Sequence, residues 1–113
     1  MEEMKDDMLT VSEANIVKAV WDAGGEIALQ DLIVKLRDYG KEYARTTVVT
    51  FLIKIEVKGY VKTYRKGKNS YVCTLKSEEE YKEKLLREMV DCWYSGDISA
   101  MAAKLADMQA ESK

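Results

Sequence analysis

Apolar residues at Ile16, Val17, Val20 and Trp21 follow the i, i+1, i+4, i+5 spacing of a helix that buries one face. The stretch Leu9-Thr10-Val11-Ser12-Glu13 is its start signal. Thr10 stands at the cap, Glu13 three residues on can reach back to the cap N–H, and Leu9 holds the staple position. Gly24-Gly25 ends this helix near Ala23. Glu26-Ile27-Ala28-Leu29 is too short to define an element by itself; a small strand pairing with a later hairpin is one reading of it, a loop the other. A second helix runs from about Gln30, with Leu32, Ile33 and Leu36 on one face, and stops at Tyr39-Gly40. Lys35 and Arg37 fall in its last turns, where cations suit the helix dipole. A third helix runs from near Ala44 to Lys58-Gly59. Val48, Leu52 and Ile55 share its core face and Phe51 flanks it, while Arg45, Thr46, Val49, Thr50 and Lys54 fall largely away from it.

Past Gly59 the period changes. Tyr60-Val61-Lys62-Thr63-Tyr64 is rich in β-branched and aromatic residues, Arg65-Lys66-Gly67-Lys68-Asn69 supplies turn formers and three cations, and Ser70 to Leu75 is the return strand. Helix, helix, helix, hairpin is the chain order of a winged helix-turn-helix, expected over residues 8–76. Ser77-Glu78-Glu79-Glu80 is a second capping signal. The helix it opens carries Tyr81, Leu85, Met89 and Trp93 on one stripe, with Leu86, Val90 and Cys92 beside it. Ser95-Gly96 breaks that helix. Asp97 then caps a last one with Met101, Ala102, Leu105 and Met108 on its apolar side. The fold class is therefore mainly α with a small β-hairpin, a winged helix-turn-helix followed by a two-helix module over residues 77–113. Two helices alone make a poor core, so this module is expected to pack against a second copy of itself, as a dimerisation module. The alternative is that it folds back onto its own winged helix.

Composition narrows the function. The 113 residues suit one compact domain with an extension, and 47% hydrophobic with 34% charged residues is ordinary for a soluble globular protein. No apolar run reaches the ~18 residues of a membrane span, and the acidic start MEEMKDDM has no apolar region of a secretory signal. Cys73 and Cys92 stand in no metal-ligand spacing and suit a reducing cytoplasm. Histidine, the commonest general base and metal ligand, is absent. No nucleophile–base pair, metal cluster or phosphate-binding glycine loop is visible, so neither an enzyme nor a cofactor is expected.

Charge points the other way. The net charge of −2 conceals a basic middle: residues 35–76 hold 11 Lys and Arg against 3 Asp and Glu, while both flanks are acidic. A basic segment built of structured elements suggests a surface for a polyanion. The alternative is a cluster of ordinary solvated lysines.

Leu9-Thr10 with Glu13 and Val20-Trp21, then Thr46-Thr47-Val48 with Thr50 and Leu52, then Lys58-Gly59-Tyr60, resemble the penicillinase-repressor family in order and spacing. The basic hairpin with Gly67 and Tyr71 is similar to its wing, and Tyr94-Ser95-Gly96 to the break between its last two helices. The resemblance spans roughly residues 8 to 109. It implies a bacterial, homodimeric winged-helix repressor that binds a palindromic operator and dimerises through its C-terminal helices. Family members control β-lactam resistance, copper homeostasis or less defined genes. Two departures bear on the inducer: the last helix reads AKLADMQ, without the Asn-Phe bond cleaved in β-lactam-responsive members, and the tail QAESK lacks the cysteine cluster of copper-responsive ones. No sensor partner is therefore identified.

The resemblance also implies residue roles. Thr46, Thr47 and Thr50 sit where the family's reading helix meets DNA, and their methyls or Val49 can touch thymine methyls. The alternative is that Thr46 or Thr47 only caps the helix. Arg45 and Lys54 are expected on phosphates, with Arg45 the better fit for bidentate reading of guanine. Arg65, Lys66 and Lys68 are expected on backbone or minor groove, giving affinity more than specificity. Gln30 would hold a phosphate through its side chain or the helix N-terminus. Tyr81, Leu85, Met89, Trp93, Met101, Leu105 and Met108 would form the dimer interface. A winged-helix adaptor that binds protein is the competing expectation, and it calls for an apolar patch on the third helix.

Overall fold

The computed structural model describes residues 8–112. Helix α1 (Val11–Asp22) opens on the capping box read from the sequence: Thr10 Oγ1 accepts from the Glu13 N–H at 3.2 Å, and Glu13 Oε1 accepts from the Thr10 N–H at 2.9 Å. Strand β1 (Glu26–Ala28) leads directly into α2 (Leu29–Asp38), and α3 spans Arg45–Val57. The hairpin is β2 (Val61–Lys66) and β3 (Asn69–Thr74), followed by α4 (Glu78–Trp93) and α5 (Ile98–Glu111).

The three strands form one antiparallel sheet in the order β1-β3-β2, with Ile27 opposite Val72 and Thr63 opposite the same residue on the other side. The short strand thus becomes the third strand of the wing rather than a loop, making a mainly helical winged helix-turn-helix with a helical module after it. The hairpin strands run closer to the turn than the sequence suggested. Arg65, Lys66 and Asn69, read as turn residues, are paired strand residues, and only Gly67-Lys68 remains as the loop. Gly67 alone of the two has positive φ (65°), at the first central position of the turn, as in the II′ turns that match strand twist.

The chain divides into two compact units that meet between Glu78 and Glu79. In the first, Ile16, Val17 and Val20 from α1, Leu32 and Leu36 from α2, Val48, Leu52 and Ile55 from α3, and Val61 and Val72 from the sheet form the core. The end of α3 shows how backbone places a core residue. Gly59, at φ 87°, donates to the Glu56 carbonyl at 2.9 Å, and the Tyr60 N–H donates to the Ile55 carbonyl at 3.3 Å. This left-handed stop satisfies two orphan carbonyls and turns the chain so that Tyr60 is fully buried, with the Lys76 ammonium 4.3 Å from its ring centre. Glu13 is the buried charged residue among those described. Its partner is Lys58, 2.6 Å away, whose ammonium also donates to the Met8 carbonyl at 2.9 Å.

In the second unit, the chain turns after α4 at Ser95 (φ 52°) and Gly96 (φ 81°), and Asp97 caps α5 by accepting from the Ala100 N–H at 3.1 Å. Between the two helices lies an open apolar groove lined by Leu86, Val90, Ile98, Met101 and Leu105. No helix among the described residues is long and apolar enough to cross a membrane.

Candidate nucleic-acid interface

Helix α3 buries one face and offers the other. Its N-cap is Ala44, with no side-chain cap bond, so neither Thr46 nor Thr47 caps the helix. Both are exposed, and with Thr50, Phe51 and Lys54 they line a shallow depression. Thr50 is exposed too, and its hydroxyl donates to the Thr46 carbonyl one turn back at 2.9 Å. It therefore presents its methyl and a lone pair to the outside rather than a free donor. Thr46, Thr50, Ile53 and Val57 follow i, i+4, i+7 and i+11, one stripe opposite the core positions, with Val49 at its flank. Sequence reasoning placed the first two and missed the last two. Ile53 is 60% exposed, Val57 83% and Val49 37%. The outward face is thus polar in its N-terminal half and apolar in its C-terminal half. The signal was available: Ile53 and Val57 fall out of phase with Val48, Leu52 and Ile55.

Arg45 and Gln30 come together. Arg45 Nη1 lies 3.4 Å from Gln30 Oε1, which sets the first residue of α3 beside the second residue of α2. The bond is long and both side chains are exposed, so it holds neither strongly.

Strand alternation splits the wing cations. On β2, Val61, Thr63 and Arg65 share one face, and Lys62, Tyr64 and Lys66 share the other. The first face turns toward α3, as the bond from Thr63 Oγ1 to Glu56 Oε1 at 3.1 Å shows. The second carries the stacked Tyr64 and Tyr71 rings, 5.6 Å apart, between Lys62 and Lys66. Arg65 and Lys66 thus leave opposite faces, and Lys68 sits in the turn, where its carbonyl lies 3.5 Å from Arg65 Nη2. Lys62, not singled out from sequence, belongs with Lys66 by the same two-residue period.

The basic cluster also sorts by employment. Lys58 is bound to Glu13, Lys76 lies over Tyr60, and Lys35 lies over Tyr39. The first two meet buried groups and so serve the fold, while the third is a surface contact. Lys54, Lys62, Lys66 and Lys68 are exposed and have no side-chain partner among the described residues. On α1, Lys18 pairs with Asp22 and with Glu78, and the Tyr39 hydroxyl donates to Asp22 at 2.6 Å. That hydroxyl, with Lys18 beside it, holds the Asp22 carboxyl below its ordinary pKa, and Asp22 raises Tyr39 in return.

Of the residues expected at a dimer interface, Leu85, Met89, Trp93, Leu105 and Met108 are exposed, Trp93 at 77%. Tyr81 and Met101 are already buried within the single chain, together with Val90. Their burial leaves the other five as the apolar surface of this set that a partner could cover. Trp21 is half-buried, and its indole N–H donates to the Lys76 carbonyl at 2.9 Å. Among the described residues no group of His, Cys, Asp and Glu could hold a metal ion.

No curated protein matches the chain at a significant level. The sequence profile described as penicillinase repressor matches residues 9–113, which takes in the winged helix and both C-terminal helices. With an exposed α3, a basic wing and a match over nearly its whole length, the chain belongs to the penicillinase repressor family of DNA-binding transcriptional repressors.

Proposed function

We propose that the protein is a homodimeric repressor that binds a palindromic operator. Helix α3 enters the major groove and the β2–β3 hairpin grips the sugar-phosphate backbone. The observation that carries this reading is the first half of the outward α3 face: Thr46, Thr47, Thr50 and Lys54 stand clear of capping and ion-pair duties. Arg45 and Gln30 flank them, and Lys66 and Lys68 extend the positive surface along the hairpin. The hydroxyls, methyls and Arg45 would read base edges, while the lysines and Gln30 would hold phosphates. Dimerisation through Leu85, Met89, Trp93, Leu105 and Met108 would make the second half-site contact effectively intramolecular, so loosening these helices would release the operator. In this reading residues 8–76 bind DNA and residues 77–113 join the copies, in the cytoplasm.

The test is binding to duplexes from the protein's own upstream region over a salt series. Phosphate neutralisation predicts a linear fall of log K with log salt. A complex that forms with no fragment, or one indifferent to salt, would sink the proposal. A second reading has one observation in its favour: exposed Ile53 and Val57 are the apolar patch that a protein-binding adaptor requires. The two separate on charge reversal of Arg65 and Lys66, which abolishes a DNA complex and leaves an apolar protein contact intact.

A further inference from the structure

The stripe on α3 joins two chemistries that the operator-binding reading, on which this inference rests, does not by itself explain. Ile53 and Val49 are aliphatic side chains left in solvent at 60% and 37% exposure. They adjoin the exposed hydroxyl-bearing Thr46 and Thr50 on the same helix face, and Lys54 follows Ile53 directly. An isolated exposed aliphatic residue needs no explanation. Here, however, the two are one turn apart and border a groove shared with Leu29, Leu52, Thr63 and Val72.

We infer that Ile53, with Val49, is a specificity-determining residue that reads thymine C5-methyl groups in the major groove. The occupant follows from charge and shape. Lys54 on the same helix, without a side-chain partner among the described residues, together with Lys62, Lys66 and Lys68 on the hairpin, favours a polyanion over an apolar protein segment. On a duplex, the apolar feature of the major-groove edge is the thymine methyl. Thr50, its hydroxyl turned back onto the Thr46 carbonyl, adds its own methyl to this surface. The protein should therefore prefer half-sites with thymine opposite the middle of α3. It should reject cytosine opposite Ile53 and Val49, because the cytosine edge has no methyl and presents an amino group to two side chains that cannot accept its hydrogen bond.

The experiment begins with selection of the full-length protein's preferred duplex from a randomised pool. Each thymine is then replaced singly by deoxyuridine, which removes the methyl and keeps the base-pairing edge. Removing one covered methyl should weaken wild-type binding roughly fourfold at one or two positions per half-site. In the Ile53→Ala protein, or for a neighbouring thymine in Val49→Ala, the same replacement should cost nothing. Both side chains are partly or largely exposed, so the variants should fold, and unchanged thermal unfolding checks this. A selected operator whose affinity ignores every deoxyuridine replacement overturns the inference while leaving the repressor reading intact. So does a penalty that persists undiminished in both variants. Failure to select any duplex overturns both, and points to a protein partner for Ile53 and Val57.

Discussion

One ion pair carries much of the residue-scale logic. Glu13 caps α1 and, while buried, receives Lys58 from the far end of α3. Burial alone would push its carboxyl up. The bonds from Lys58 and Thr10 outweigh that and hold it below its ordinary value. A carboxyl depressed in the folded state contributes stability that is fully present above its unfolded pKa and is lost as pH falls through the folded one. Urea midpoints should therefore be flat near neutrality and decline below about pH 4, and a Glu13→Gln protein should show a shallower decline. Lys58→Met leaves the carboxylate without its charged partner and should cost about 2 kcal/mol, measured by the same unfolding curves. Thr10 and Glu13 were legible as a capping pair because the motif is local. Lys58 as the partner was not legible, because nothing in a linear sequence shows which of 11 basic residues folds back over Glu13.

Among the elements, α3 and the wing differ in what they should control. Thr46→Ala on α3 should relax discrimination between operator and altered duplexes. Lys66→Ala on the wing should weaken all duplexes alike and reduce the salt slope by about 1 for the lost phosphate contact. Competition binding with matched and mismatched duplexes at several salt concentrations distinguishes the two outcomes, and equal behaviour of the two variants would contradict the division of roles. Gly59 is an element-scale constraint of another kind. Its φ of 87° suits glycine, and Gly59→Ala should cost roughly 1–2 kcal/mol in thermal or urea unfolding. Most element boundaries were legible, since Gly24-Gly25, Tyr39-Gly40 and Lys58-Gly59 mark helix ends chemically. The hairpin was misjudged by two residues on one side and one on the other. Lysine and arginine look like turn residues by polarity, yet they pair as strand once Gly67 alone provides the bend.

For the whole molecule, the exposed side chains of α4 and α5 set the expectation of a dimer. Leu105→Glu combined with Met108→Glu places charge where a partner would otherwise cover apolar surface. Sedimentation should then shift from dimer to monomer, and operator affinity should fall roughly 100-fold or more as the effective concentration of the second half is lost. Both substitutions lie in the second unit, so the winged helix should keep its thermal transition. A wild-type protein that sediments as a monomer at micromolar concentration would refute the dimer.

Local chemistry was enough for the sequence to determine the element order, the caps at Thr10 and Asp97, the basic middle and the family. Each of these depends on neighbours a few residues apart or on a pattern spread along the chain. Tertiary structure decided which charges are spent inside the fold and which face solvent. Lys58 and Lys76 went inward, while Lys54, Lys62, Lys66 and Lys68 stayed out. It also decided that β1 completes the wing, that Arg65 and Lys66 leave opposite faces, that Tyr81 and Met101 are already buried, and that Ile53 is not. These outcomes depend on which surfaces meet after the chain has turned, at Gly59 and Gly67 in the first unit and at Ser95-Gly96 in the second. Periodicity defines a face of an element, but only packing shows whether that face is covered.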